Sequence, residues 1–178
     1  MKTLVESAQA AKAASLEIAQ LTTEQKNKAL REMAGALLKR TPEILAANEK
    51  DMQKGRESGM PESLLDRLML NEARIAGMAE GLDQVADLPD PIGRVMDEWT
   101  RPNGLVIRKV RVPMGVIGII YEARPNVTVD AAALAFKAGS AMLLRGSSSA
   151  YESNAALVRV MRESLEKSGV TPDAVCLV

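Results

Sequence analysis

The sequence predicts an α/β protein: N-terminal helices, a β-hairpin, and then the first β-α-β-α-β part of a doubly wound parallel sheet. Capped amphipathic segments fill roughly the first ninety residues, and two β-branched segments then flank a short turn. After Pro113, short apolar strands alternate with longer helical segments. We therefore expect a helical part at 1–94, a hairpin at 95–112 and a partial Rossmann-like sheet at 113–178.

Helix start signals recur along the first part. Thr22 and Gln25 form a capping-box pattern before an amphipathic run. Thr41 is predicted to be an N-cap because a proline follows it, and Pro61 and Asn71 are predicted to start two further helices. Charges of alternating sign on these helices indicate solvated faces, so no chemistry is assigned to them.

The helices are predicted to end at "LPDPIG", residues 88–93, which holds two prolines and a glycine. The strand-like segments "RVMDEWT" and "LVIRKVRV" flank "RPNG", a connection of the length that closes an antiparallel hairpin. Because Arg108 and Lys109 interrupt the apolar residues, we expect either a plain surface hairpin or a ribbon that projects towards another subunit.

Three apolar runs, "GVIGIIY", "AMLL" and "AVCLV", alternate with helical segments that end on Gly139 and Gly169. Strands that are apolar on both faces and joined by helices predict a parallel sheet covered on both sides. Ligands of such sheets bind beyond the carboxyl ends of the strands. The polar segments "YEARPN" at 121–126 and "RGSSSA" at 145–150 occupy those ends and are the predicted site.

Some of these polar residues also have a structural explanation. Asn126 is suited to cap the helix that follows it, and Ser149 with Glu152 forms another capping-box pattern. The dinucleotide fingerprint G-x-G-x-x-G is absent, and Gly115 and Gly118 are expected to permit close helix packing.

Four residues of the second loop suit a phosphate group. Arg145, Gly146, Ser147 and Ser148, with the helix N-terminus that follows them, make a cationic mouth lined by hydroxyl groups.

Composition excludes several function classes. Lys plus Arg and Asp plus Glu number 23 each, so no overall positive field favours nucleic acid. The absence of histidine excludes imidazole bases and His-based metal sites within the chain, and no metal is expected. Cys176 lies in an apolar run, where cysteine is usually an inert hydrophobe. With neither a signal-peptide pattern nor an apolar run of roughly 18 residues, we expect a cytoplasmic protein without a membrane partner.

The segment "VPMGVIGIIYEARPNVTVDAAALAFKAGSAMLLRGSSSA" resembles the gamma-glutamyl phosphate reductases, or glutamate-5-semialdehyde dehydrogenases, of the aldehyde dehydrogenase superfamily. "DRL" at 66–68 and "DPIG" at 90–93 extend the resemblance along essentially the whole chain. It implies NADPH-dependent reduction of L-glutamyl 5-phosphate through a cysteine thioester in proline biosynthesis. It also implies chains more than twice this length, so we expect this N-terminal part to lack the catalytic domain and cysteine and to be inactive alone.

The resemblance implies roles for both loops. The superfamily places an asparagine amide after the first strand, where it donates to the reaction's oxyanion, and Asn126 is the candidate. An ungapped alignment puts Arg124 at that place, so both stay candidates, and Arg124 is also suited to bind the acyl phosphate or the substrate carboxylate. Arg145 and Ser148 replace a lysine and a glutamate that contact the adenosine ribose, which favours the 2'-phosphate of NADP(H).

The resemblance also implies partners. The hairpin is similar to the superfamily's oligomerisation ribbon, so we expect a homo-oligomer, and glutamate 5-kinase is a further expected partner. Two other interpretations stay open. A naturally short, non-catalytic binding or assembly module is favoured by the missing cysteine, and a different acyl-reducing aldehyde dehydrogenase is distinguished by the turn at 122–126.

Overall fold

The computed structural model describes residues 3–178, and its elements follow the predicted order. The α/β fold class with N-terminal helices, a hairpin and a parallel sheet is confirmed. None of the helices within residues 3–178 has the length and apolar character that crossing a membrane requires. The elements are α1 Leu4–Ile18, α2 Thr23–Lys39, α3 Thr41–Glu57, α4 Glu62–Leu68, α5 Glu72–Asp87, β1 Val95–Thr100, β2 Val106–Val110, β3 Val116–Ile120, α6 Pro125–Lys137, β4 Ala141–Arg145, α7 Tyr151–Lys167 and β5 Val175–Leu177.

Among the predicted starts of α2, α3 and α5, two are confirmed and one is wrong. The backbone N–H of Gln25 donates to Thr22 Oγ1, and its side chain accepts from the Thr22 N–H, which closes the predicted capping box of α2. Asn71 Oδ1 likewise accepts from the N–H of Arg74 at the start of α5. Thr41 is not a cap but the first residue of α3, because α2 and α3 are separated only by Arg40. The Thr41 hydroxyl donates instead to a carbonyl in the last turn of α2.

The three parallel strands lie in the order β3-β4-β5. In β4, Ala141, Met142 and Leu144 are all buried, so both faces of this strand are covered. Helix α1 packs on β4 and β5, while α6 contacts β4 and α7 contacts β5.

The prediction that the strands are covered on both faces is wrong for β3 within residues 3–178. Gly118 is exposed, and Ile120 at the end of the strand is 87% exposed. A Cβ atom on Gly118 would meet nothing within 4 Å, so close helix packing does not explain this glycine. Gly115 has φ +95°, a conformation that favours glycine for its backbone alone. β3 is one of the two edge strands of the described sheet, and helices α6 and α7 pack on β4 and β5 instead.

The predicted hairpin is present as an exposed two-stranded ribbon. β1 and β2 pair antiparallel, with Trp99 opposite Ile107, and the N–H of Arg101 donates to the carbonyl of Leu105 across the turn. Gly104 in this turn has φ +84°. The described side chains of β1 are all exposed. The division of the chain into three parts at 94 and 112 stays a prediction.

A buried pair of charges fixes the "DPIG" segment to the helices. Lys26 in α2 is only 2% exposed, and its ammonium lies 2.7 Å from Asp90 Oδ2. Burial of the Asp90 carboxylate opposes its ionisation, but hydrogen bonds from Lys26 and from the N–H of Ile92 outweigh this effect and lower its pKa. The ion pair between Asp90 and Lys26 therefore holds this segment against α2, and each charge depends on the other for compensation.

We expect Asp90→Asn to lower the free energy of unfolding at neutral pH by about 3 kcal/mol, because it leaves Lys26 charged and buried without its carboxylate. Since the folded-state pKa of Asp90 lies below its usual 3.8, the contribution is present above pH 3.8 and is lost as pH falls through the lower folded value. Urea unfolding at neutral pH measures the effect of the substitution, and urea unfolding at pH values around and below 3.8 measures the pH dependence.

The matched control is Asp87→Asn, which removes the exposed ion pair with Arg31. Exposed pairs contribute about 0–1 kcal/mol, so this variant should unfold nearly like the unchanged chain. Equal losses for the two variants would contradict the role given to the buried pair.

Candidate functional site

The first predicted loop, "YEARPN", leads directly from β3 into α6. The N–H of Tyr121 still donates to the carbonyl of Arg145 on β4, 3.1 Å away, and Arg124 then adopts an extended conformation before Pro125. The helix begins at Pro125, so Asn126 lies inside its first turn and the capping role suggested for Asn126 is wrong. Its amide nitrogen donates instead to Asp130 Oδ2, one turn further along α6, at 3.2 Å.

Arg124 and Asn126 line an open cleft of about 430 Å³. Asp130 lies on the same wall, where burial raises the pKa of its carboxyl group and the hydrogen bond from Asn126 partly opposes this rise. The opposite wall contains the "DRL" segment and the start of α5. Its residues are Asp66, Arg67, Met69, Leu70, Arg74, Gly77 and Met78.

The three arginines of the cleft differ in how they are engaged. Arg74 donates to the carbonyl of Met69 at 2.7 Å and pairs with Asp66 at 2.9 Å, so its guanidinium is part of the wall. Arg67 pairs only loosely with Glu122, at 3.6 Å. The guanidinium of Arg124 has no hydrogen bond or ion pair to any residue within 3–178.

The second predicted loop follows β4. Arg145 is exposed and donates to the neighbouring carbonyl of Gly146 at 3.0 Å, and Ser148 is exposed as well. Ser147 Oγ accepts from the N–H of Ser149 and so caps a short 3-10 turn, Ser148–Ala150. One guanidinium and one hydroxyl of this loop therefore face solvent.

The N-terminus of α7 is already bound to an internal anion. The N–H groups of Glu152 and Ser153 donate to the carboxylate of Asp51, at 3.2 and 2.8 Å, and Asp51 is only 1% exposed. The predicted capping box of Ser149 with Glu152 is therefore wrong, because a residue of α3 provides the cap. These two N–H groups are therefore not available to a phosphate. Phosphate binding at residues 145–148 would depend on their side chains instead.

A buried chain of hydrogen bonds connects the two predicted loops. Thr128 on α6 donates its only hydroxyl hydrogen to Asn154 Oδ1 at 2.8 Å, so the Tyr121 hydroxyl is the donor in the 2.6 Å bond to Thr128. Burial raises the pKa of Tyr121. Gly146 packs against the same groups: a Cβ there would lie 2.3 Å from Asn154 Nδ2 and 3.1 Å from the Tyr121 ring.

A second buried chain connects α7 to the "DRL" wall. Asn48 on α3 donates to the carbonyl of Leu68 at 2.9 Å and to Ser153 Oγ at 3.0 Å, and it accepts from the N–H of Leu70 at 2.8 Å. Ser153 in turn donates to Asp51 Oδ2 at 2.7 Å. The alternating charges of α3 predict a solvated face, so the burial of Asp51 and the bonds of Asn48 were not predictable from this pattern.

The structure thus brings some predicted site residues together and separates others. Arg124 and Asn126 share the cleft, whereas the residues lining it do not include Arg145, Gly146, Ser147 or Ser148. The two sets lie at neighbouring strand ends, since Ile120 of β3 is paired directly with Arg145 of β4.

A family model described as "Aldehyde dehydrogenase family" matches residues 2–178. The chain belongs to the aldehyde dehydrogenase family. The gamma-glutamyl phosphate reductase of Anoxybacillus flavithermus is 53% identical over all 178 residues of this chain, which correspond to 43% of that protein. These findings confirm the resemblance predicted from the sequence motifs.

Solved structures give the same result. The gamma-glutamyl phosphate reductase of Thermotoga maritima matches 99% of this aldehyde dehydrogenase chain with a TM-score of 0.97 and 46% identity, over 43% of its own length. The Saccharomyces cerevisiae enzyme matches all of the chain with a TM-score of 0.90 and 26% identity, over 47% of its length. The chain therefore spans less than half the length of these relatives.

We expect Gly146→Ala to destabilise this chain by about 1–3 kcal/mol, because the new methyl group would overlap the Asn154 amide and contact the Tyr121 ring. Thermal unfolding measures the loss. The matched control is Gly118→Ala, where the methyl group would meet nothing within 4 Å. If both variants unfold at the temperature of the unchanged chain, the close approach at Gly146 is not a constraint.

Proposed function

We propose that this chain is part of an NADPH-dependent gamma-glutamyl phosphate reductase of proline biosynthesis. The reaction converts L-glutamyl 5-phosphate, NADPH and a proton into L-glutamate 5-semialdehyde, NADP⁺ and phosphate. The observation that carries this proposal is the cleft in which the "DRL" and "YEARPN" segments face one another. It offers an unpaired guanidinium and an amide donor at the carboxyl end of a parallel strand, where an anionic acyl substrate has to be bound and polarised.

Asn126 is the proposed oxyanion donor. Its amide nitrogen carries two hydrogens, and the hydrogen bond to Asp130 engages one of them. The other hydrogen is available to the carbonyl oxygen of the substrate, which becomes negative when a thiolate attacks the carbonyl carbon. Arg124 is the proposed partner of the acyl phosphate or of the substrate carboxylate, and it stays the alternative oxyanion donor.

The attacking thiol is proposed to come from outside these 178 residues. Cys176 is 4% exposed and lies at the end of the sheet on β5, where its Sγ contacts the carbonyl of Asp173 at 3.4 Å. It does not line the cleft that contains Arg124 and Asn126. We infer that the chain by itself is inactive as a reductase.

The loop after β4 is the proposed site for the cofactor's ribose phosphate. NADPH, when bound, supplies the hydride. Arg145 and Ser148 expose a guanidinium and a hydroxyl, which suit a 2'-phosphate. Residues 145–149 include no carboxylate that would repel it. Gly146 and Ser147 shape the backbone of this loop.

The remaining expectations rest on the family. A homo-oligomer formed through the ribbon β1–β2 agrees with the exposed apolar side chains of Val95, Met96 and Trp99, and the mass of the intact protein in solution checks it. A cytoplasmic location and a contact with glutamate 5-kinase stay predictions. A naturally short, non-catalytic module, which the missing cysteine favours, stays the alternative prediction.

We expect the intact protein that contains this chain to oxidise L-glutamate 5-semialdehyde with NADP⁺ and phosphate, the reverse of the proposed reaction. Asn126→Ala should lower kcat by about 100-fold or more, since it removes one oxyanion donor. The increase in NADPH absorbance at steady state measures the reverse reaction and the kcat of each variant. Asn103→Ala, in the hairpin turn, is the control and should leave kcat unchanged. An unchanged kcat for Asn126→Ala would transfer the donor role to Arg124.

Ser148→Glu is expected to reverse part of the cofactor preference. A carboxylate beside Arg145 repels a 2'-phosphate and accepts hydrogen bonds from a free 2'-hydroxyl. The ratio of kcat/KM for NADPH to that for NADH should fall by about 10- to 100-fold, the range of one or two charge-assisted hydrogen bonds. Gln84→Glu, which adds the same charge at an exposed position of α5 outside this loop, is the control and should leave the ratio unchanged. If the ratio is the same in both variants and in the unchanged protein, the loop does not contact the ribose.

A further inference from the structure

We propose that Arg67 is a substrate-binding residue which, together with Arg124, holds an anionic group of the substrate across the cleft. In the absence of substrate, Arg67 pairs with Glu122. The site takes a small molecule with a carboxylate or phosphate group. Its existence follows from the charges of the cleft, and only the identity of the substrate rests on the proposed function.

The cleft carries more positive charge than its own carboxylates neutralise. Arg74 is bound on two sides by Asp66 and by a backbone carbonyl, so it belongs to the wall. Asp130 accepts a hydrogen bond from the amide of Asn126, and the three arginines of the cleft outnumber its two carboxylates, Asp66 and Asp130. The guanidinium groups of Arg67 and Arg124 are therefore the two available cations, and they come from opposite walls.

The pairing of Arg67 with Glu122 is suited to exchange. The closest nitrogen and oxygen are 3.6 Å apart, and the side chains are 46% and 78% exposed. An ion pair of this kind contributes about 0–1 kcal/mol. A substrate oxyanion placed between Arg67 and Arg124 would gain shorter, charge-assisted bonds to both, with two parallel bonds possible to each planar guanidinium. Glu122 would then return to solvent.

The walls that carry these two arginines are held in place by buried polar groups. Asn48 binds both the carbonyl of Leu68 and the N–H of Leu70, on either side of the short link that follows Arg67. On the other wall, Pro125 fixes the start of α6 directly after Arg124. Both guanidinium groups thus project from backbone of fixed position, which reduces the entropy lost when they bind one anion.

The substrate offers two groups of this chemistry, the phosphate and the α-carboxylate, and kinetics distinguishes them. In the reverse reaction of the intact protein, we expect Arg67→Gln to raise KM about 10- to 100-fold for inorganic phosphate if the site binds phosphate. If the site binds the carboxylate instead, we expect the same increase in the KM for L-glutamate 5-semialdehyde. Glu122→Gln should lower the same KM, because it releases Arg67.

Arg31→Gln is the matched control, since Arg31 is an exposed arginine paired with one carboxylate outside the cleft. It should change neither KM. Unchanged KM values for both substrates in Arg67→Gln would overturn the proposal, and so would an identical response to Glu122→Gln and Arg31→Gln. Circular dichroism melting confirms that each variant is folded.

A binding measurement separates this inference from the proposed function. Inorganic phosphate or L-glutamate, at millimolar concentration, should raise the melting temperature of the intact protein but not that of Arg67→Gln. If the unchanged protein lacks reductase activity yet shows this difference, the anion site stands and the proposed function falls. If it is active but neither probe distinguishes the two proteins and both KM values are unchanged, the anion site falls and the function stands.

Discussion

Two consecutive residues at the start of α7, Ser153 and Asn154, hold the loop after β4 and both walls of the cleft in one arrangement. Ser153 reaches the "DRL" wall through Asn48, and Asn154 reaches α6 through Thr128. All four side chains are at least 97% buried. Buried polar groups without partners are costly, so each wall can occupy only positions that satisfy these bonds. The geometry of the cleft depends on this constraint.

The carboxylate of Asp51 completes the arrangement and changes how the neighbouring loop can bind phosphate. A buried carboxylate requires donors, and the first turn of α7 supplies two backbone N–H groups and a hydroxyl. The same N–H groups would otherwise form the anion site common at helix N-termini. The proposed recognition of a phosphate at this loop therefore depends on the side chains of Arg145 and Ser148. A cofactor preference set by side chains is consistent with a loop that carries no fixed backbone anion site.

Local patterns predicted the elements well, whereas they failed where distant residues meet. The caps of Thr22 and Asn71 were predictable because donor and acceptor lie three residues apart. The cap of α7 was not, since Asp51 lies about a hundred positions before the helix and a plausible local pattern at Ser149 competes with it. The location of both loops at strand ends followed from the parallel sheet.

The place of Arg67 in the cleft was equally hidden. Its helix carries an ordinary charged pattern, and only folding brings it opposite the segment after β3. The exposure of Ile120 was missed for a related reason: an apolar strand sequence predicts burial but does not state which elements provide it. Both failures concern contacts between segments far apart in the chain, about which periodicity holds no information.

The choice of arginine at two positions of the cleft has consequences for specificity. A hydrophobic cleft discriminates weakly between aldehydes of similar size, whereas a site built for a charged group rejects molecules that lack it, because its own groups are then left unpaired. Glu122 moderates this penalty by giving Arg67 an exposed, easily displaced partner in the absence of substrate. Arg124 has no such partner within residues 3–178, and its side chain is exposed. The two guanidinium groups thus differ before an anion binds, because binding has to break an ion pair at Arg67 but not at Arg124.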